Sequence, residues 1–198
     1  MIRKKVLPSK LDIERALRYD PVSGDLIWKQ RGLDQFAHSG ACVTWNARWP
    51  GKVAGQKYTH KSGSPKYVVV SLNGWPYLAH HLILKMHDID IPEGMIVDHE
   101  NRNPLDNRLQ NLRVCTPQQN SGNKTKPRRN KSGYIGVFWA EGRGWLARVN
   151  CKERPTTRDV GVFGCPTAAA IAFDKWVIAN RGVFANPNIL TKPHLSNR

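Results

Sequence analysis

Apolar and polar positions change rhythm several times along the chain, and each change marks an element. Leu11, Ile13, Ala16 and Leu17 fall near helical spacing, so residues 10–19 are predicted to form a helix ending at the turn Asp20-Pro21-Val22-Ser23-Gly24. Leu26, Ile27 and Trp28 predict a short strand over 25–29. Residues 30–65 show no clean period and are expected to be irregular. Residues 67–72 and 75–79 read as strands joined by Asn73-Gly74, a dipeptide suited to a tight hairpin turn. Leu82, Ile83 and Met86 predict a helix over 80–87. Residues 91–94 form a turn, and residues 95–99 a strand. Residues 101–107 form a polar loop, and Asp106-Asn107 leads into a short helix or strand through Leu109 and Leu112. Thr116-Pro117 restarts a helix, because Thr caps well and Pro suits the first helical position.

The last third follows another pattern. Residues 134–138, 145–150 and 159–163 read as three strands, with Gly-containing turns between the first two. Residues 166–180 then place Ala168, Ala169, Ile171, Ala172, Phe173, Trp176 and Val177 on a broad apolar helical face. Three antiparallel strands and one packed helix make a small α+β module. Along its middle strand, alternation sets Trp145, Ala147 and Val149 against Leu146, Arg148 and Asn150. The Arg-bearing set is expected to be the free face, with Trp145 toward the helix.

Charge changes the picture. The 198 residues carry a formal net charge of +16. A balance of that size attracts polyanions without specifying a fold, and double-stranded DNA is the expected partner. No residue between 107 and 140 is acidic, and residues 121–132 contain no apolar side chain. Residues 124–132 therefore read as a cationic linker, with Lys124, Lys126, Arg128, Arg129 and Lys131 as phosphate contacts. Arg108, Arg113, Arg143, Arg148 and Lys152 are further candidates. No apolar run approaches the length of a membrane span, and the basic start is not followed by the apolar core of a signal peptide, so a cytoplasmic protein is expected. The four cysteines, at 42, 115, 151 and 165, form no C-x-x-C pair. Reduced thiols are expected and no zinc.

The chemistry concentrates in residues 98–120. Asp98 and His99 follow the apolar run Met95-Ile96-Val97, with Asn111 and Asn120 downstream. Oxygen ligands beside one imidazole suit a single Mg²⁺ (or Mn²⁺) and a general base. On a cationic chain, this points to phosphodiester hydrolysis.

Residues 78–120 resemble the HNH endonucleases of phages and introns. The matching pieces are Leu78-Ala79-His80-His81-Leu82, Pro92-Glu93-Gly94-Met95, Val97-Asp98-His99, Asp106-Asn107-Arg108, Asn111-Leu112-Arg113 and Asn120. The segment from Tyr19-Asp20-Pro21-Val22-Ser23-Gly24 to Lys66-Tyr67 is similar to the N-terminal part of such proteins. The family commonly has His-Arg-Leu where this chain has His80-His81-Leu82. The resemblance implies a ββα fold around one metal. His99 would be the general base, Asp98 and Asn120 the metal ligands, and Asn111 a brace for the loop or for His99. His80 would touch the phosphate or pack behind the site, and Asn107 would close the loop.

Residues 134–188 are similar to the DNA-binding domain of plant ethylene-response factors. The match runs through Tyr134-Ile135-Gly136-Val137, Trp145-Leu146-Ala147, Gly161-Val162-Phe163, the helix 168–174 and the tail 182–188. That resemblance implies a sheet laid in the major groove. The plant pattern has more Arg on the first strand, where Ile135 and Phe138 stand here, so its base preference does not carry over.

The expected organisation is an N-terminal α+β region (1–76), a nuclease core (77–123), the linker, and a DNA-binding domain (133–190). The expected function is a metal-dependent, homing-type DNA endonuclease with one metal per site. One centre cuts one strand at a time, so a double-strand break calls for a homodimer or two events. The alternatives are a DNA-binding regulator with a vestigial nuclease site, and an RNA-binding protein, for which the exposed aromatic platforms are lacking.

Overall fold

A computed structural model describes residues 6–59, 65–121, 131–151 and 157–191. The chain divides into two compact units, Met1–Cys115 and Thr116–Arg198. The architecture is mixed α+β, built from small antiparallel sheets.

The first unit begins with α1 (Lys10–Ala16), capped by Ser9, whose hydroxyl accepts from the Asp12 N–H at 3.1 Å. The helix is shorter than its apolar spacing predicts. Leu17 turns extended, and β1 (Leu17–Tyr19) pairs with β2 (Leu26–Trp28) across the 20–24 turn. Pairing with three fully apolar residues outweighs one further helical turn.

Residues 30–65 are not irregular throughout. They contain α2 (Ser39–Arg48) and β3 (Gln56–Thr59). Helix α2 buries no residue, and β3 is exposed along its length. Neither element therefore writes an apolar period into the sequence. Trp45 fixes α2 by an edge-to-face contact with Trp28, ring centres 5.2 Å apart.

β4 (Pro65–Leu72) and β5 (Trp75–Leu78) form the expected hairpin, and β3 adds to its edge in the order β3-β4-β5. Asn73 and Gly74 both take positive φ (51° and 78°), as a two-residue hairpin turn requires. Next come α3 (Ala79–Met86), β6 (Ile96–His99) and β7 (Leu112–Cys115), with β6 and β7 paired antiparallel. One core runs through this unit, from Ile13, Ala16 and Leu17 through Val70 and Leu72 to Leu82, Ile83, Leu84 and Leu112. Residues before and after position 76 thus pack as one body.

The second unit opens on α4 (Pro117–Ser121). Thr116 caps it reciprocally: its hydroxyl accepts from the Gln119 N–H at 3.2 Å, while the Gln119 side-chain oxygen accepts from the Thr116 N–H at 2.8 Å. β8 (Val137–Ala140), β9 (Gly144–Asn150) and β10 (Thr157–Phe163) form an antiparallel sheet in the order β10-β9-β8. The first strand starts three residues later than predicted, because Gly136 sits at φ +71° in the preceding turn. A Cβ there would lie 2.2 Å from the Phe173 ring, so only glycine allows this approach. α5 (Pro166–Arg181) packs on the sheet through Ala169, Ala170, Phe173 and Val177, which meet Val137, Ala147 and Val149. Trp145 is half-buried on this helix side, as alternation predicts.

Candidate active site

The β6–β7 hairpin buries an unusual number of polar side chains. Asp98, His99, Asn107, Asn111 and Arg113 are each under 9% exposed. Each needs partners, and the hairpin supplies them.

Strand register sets Asp98 directly opposite Arg113. Arg113 Nε and Nη2 donate to Asp98 Oδ2 at 2.8 and 2.6 Å. Arg113 is therefore neither solvated nor displayed to solvent for phosphate contact. It neutralises a carboxylate that apolar surroundings would otherwise penalise.

The neighbouring residue, His99, ends β6. Its Nε2 lies 3.1 Å from Asn107 Oδ1. An amide oxygen only accepts, so Nε2 carries the proton and Nδ1 keeps its lone pair. Burial lowers the His99 pKa, and the Asn107 contact partly opposes that shift. The result is a neutral imidazole at neutral pH, fixed in one tautomer. His99 and Asn107 lie eight positions apart, and only the loop's path brings them together. The sequence reading gave Asn107 loop closure alone.

Asn111 braces the loop rather than the imidazole. Its Oδ1 accepts from the Asn101 N–H at 2.9 Å, and its Nδ2 donates to the Asp106 carbonyl at 2.7 Å. Asp106 and Arg108 add a two-pronged pair at 2.8 and 2.6 Å. That guanidinium holds the Asp106 carboxyl down at about 2. Arg108 is thus engaged within the loop, with its side chain still partly exposed.

Two distant residues support the loop, and the sequence signals neither one's role. The Tyr19 hydroxyl accepts from the Leu109 N–H at 2.8 Å. Gly24, at φ +81°, lies against the loop backbone, where a Cβ would come within 2.5 Å of Arg108 N. The turn after β1 is therefore shaped to fit the loop after β6.

His80 projects from α3 behind this arrangement. It is 3% exposed, and its ring meets those of His99 and His81 edge-on at 5.1 and 4.8 Å. Tyr67 packs on its other side at 5.5 Å. Burial, helped by the neighbouring histidines, pushes the His80 pKa down to about 3. Its Nδ1 has no hydrogen-bond partner among the described residues.

The other candidates lie on other elements. Asn120 lies half-buried on α4 in the second unit. Lys131 and Arg143 are exposed, and Arg148 is paired with Asp159 at 2.6 Å. Lys124, Lys126, Arg128, Arg129 and Lys152 lie outside the described residues.

The donor chemistry bears on which metal fits. Among the described residues, no three His, Cys, Asp or Glu side chains group to hold an ion. Asp98 supplies a carboxylate, a hard oxygen donor paired with Arg113 at Oδ2. A carboxylate with one further oxygen ligand suits a hard ion such as Mg²⁺, which keeps several of its waters. No helix among the described residues is long and apolar enough to cross a membrane.

This hairpin lies within the stretch that matches a known family. Residues 77–121 match the HNH endonuclease family. Two phage-type relatives are similar to the chain. Protein 3.8 of Escherichia phage T7 is 43% identical over 65 residues, covering 32% of this chain and 54% of that protein. YosQ, an SPbeta prophage-derived protein of Bacillus subtilis named as an HNH homing endonuclease, is 44% identical over 45 residues, covering 23% of this chain and 26% of YosQ. The chain thus spans about half or less of the curated relatives it matches. No solved structure matches it.

Proposed function

We propose that the chain is a metal-dependent DNA endonuclease of the homing type. The observation that carries this reading is the neutral, buried His99 imidazole held at Nε2 by Asn107, next to Asp98, inside the HNH stretch.

His99 Nδ1 takes the proton from the attacking water. Asp98 would hold one Mg²⁺ or Mn²⁺, with Asn120 as the second ligand that the family resemblance implies, and the ion would supply Lewis acidity for the hydrolysis. Arg113 holds the Asp98 carboxylate in place and balances its charge. Asn111 keeps the loop closed around Asn107. His80 packs behind His99 and excludes water from its rear face.

The linker cations and the three-stranded sheet hold and target duplex DNA, as the likeness to ethylene-response factors suggests. The strongly basic balance supports that role. A double-strand cut uses two such centres, as in a homodimer.

The experiment is incubation of supercoiled plasmid with the protein and Mg²⁺, with nicked and linear products resolved on a gel. The wild type cuts, EDTA stops cutting, and Zn²⁺ alone does not restore it. His99→Ala loses roughly 10²–10⁴-fold in rate while binding DNA as before. Undiminished cutting by that variant, or full activity in EDTA, contradicts the reading. Tight DNA binding with no cleavage by the wild type favours the regulator instead.

A further inference from the structure

The face of the second unit's sheet that points away from α5 carries an apolar row where a cationic one was expected. On β9, Ala147 and Val149 face the helix core, so Leu146, Arg148 and Asn150 face away from it. Strand register then sets Phe138 of β8 opposite Leu146, and Leu146 opposite Val162 of β10. The row crosses all three strands at the centre of the free face. Its two ends are open, Phe138 at 50% and Val162 at 36% exposure, while Leu146 between them is 6% exposed.

The charges on this face are arranged around that row. Arg148 Nε and Nη2 bind Asp159 Oδ1 and Oδ2 at 2.6 and 3.3 Å. Arg143 lies near enough to help lower the Asp159 pKa, after the larger effect of Arg148. The guanidinium fork at the sheet's centre is therefore already occupied. Reading guanine through O6 and N7 needs that fork free.

Residues 116–198 carry fourteen Lys and Arg against four Asp and Glu. That charge suits a polyanion and repels a second copy of the same surface. Three side chains are also far too few for a stable protein interface, which buries about 800 Å² on each partner.

We propose that Phe138, Leu146 and Val162 form a thymine-methyl reader, which makes the sheet selective for T-containing steps in duplex DNA. This rests on the reading that the sheet docks on duplex DNA. The thymine C5-methyl is the apolar group that a base pair offers in the major groove. An apolar row on a strongly basic unit matches a methyl-lined groove edged by phosphates.

The test uses the full chain in EDTA, so that nothing is cut. Duplexes retained from a random-sequence pool are sequenced, and the preferred duplex is remade with deoxyuridine for thymine, which removes only the methyl. Each contacted methyl is expected to be worth about fourfold in affinity. Phe138→Ala is expected to abolish the thymine-over-uracil preference at one position while keeping the salt dependence. The deoxyuridine arm leaves the protein untouched, so a folding defect in that variant does not blunt the test. Equal affinity for the thymine and uracil duplexes, with a sequence preference still present, overturns the methyl reader and leaves duplex targeting standing. Retention of no preferred sequence overturns the targeting reading itself. A wild-type dimer that Phe138→Ala converts to a monomer, without any uracil effect, also overturns the reader, because the row is then a protein contact.

Discussion

Each unit buries a carboxylate, and the two are partnered in opposite ways. Asp174 of α5 is fully buried, and its oxygens accept from the N–H groups of Asn188, Ile189 and Leu190 and from the Asn188 amide, at 2.6 to 3.1 Å. It is saturated by neutral donors and ties the C-terminal segment to the helix. Asp98 is met by the Arg113 guanidinium, beside a neutral imidazole fixed in one tautomer. A carboxylate wrapped in backbone N–H groups is a staple. A carboxylate set among side chains that carry charge suits the reacting centre proposed above. Burial alone does not distinguish them; the nature of the partners does.

The sharpest way to break this comparison is to delete each carboxylate. Asp98→Ala strands a buried guanidinium, which costs about 3–5 kcal/mol of first-unit stability, and metal-dependent cleavage is lost. Asp174→Ala leaves several backbone donors without an acceptor, costing about 3 kcal/mol in the second unit. Cleavage by Asp174→Ala is expected to survive at low temperature and low salt. Urea titrations paired with plasmid cleavage check both variants, and equal loss of cleavage at matched stability would erase the distinction.

Acid sharpens the contrast by a comparable amount. His80 has a folded pKa of about 3 against an ordinary 6.5, so the unfolded chain binds the proton first as pH falls. Its contribution is present above about pH 6.5 and is lost toward pH 3, on the order of 5 kcal/mol. Asp106, lowered from 3.8 to about 2, acts in the same direction: its pairing with Arg108 stabilises above pH 3.8 and fades toward pH 2. Stability measured against pH is expected to fall across both windows, and His80→Phe is expected to flatten the upper one. An unchanged slope above pH 4 in that variant would contradict the assignment.

The smallest effect is at the support. Tyr19→Phe removes the hydroxyl that accepts from Leu109 N–H. It is expected to cost about 1 kcal/mol and to slow cleavage a few-fold, with DNA affinity unchanged. Chemical denaturation and single-turnover rates read both quantities.

These differences also explain what the chain reveals in advance. The β4–β5 hairpin, α3, β6 and α5 are legible because Asn73-Gly74, a helical apolar period or an apolar run marks each one. α2 and β3 leave no such mark, since α2 has no fully buried residue and β3 lies exposed. Asp98, His99 and Asn111 stand out by type and spacing. The partnership of Arg113 with Asp98 depends on strand register, and that of Asn107 with His99 on the loop's path. Gly24 and Tyr19 act on the site from some ninety positions away, through contacts that no local pattern records. Arg148 looked like a DNA contact until pairing brought Asp159 across from it.

The central claim is that Asn107 acts through His99. A double-mutant cycle on single-turnover cleavage addresses it directly. Asn107→Ala is expected to slow the wild type by roughly 10–100-fold at saturating DNA, since it removes the orienting partner of the base. The same substitution in a His99→Ala background is expected to change the rate hardly at all, and Asn107→Asp to restore part of the loss in the presence of His99. Multiplicative losses, with Asn107→Ala costing as much without His99 as with it, would contradict the account.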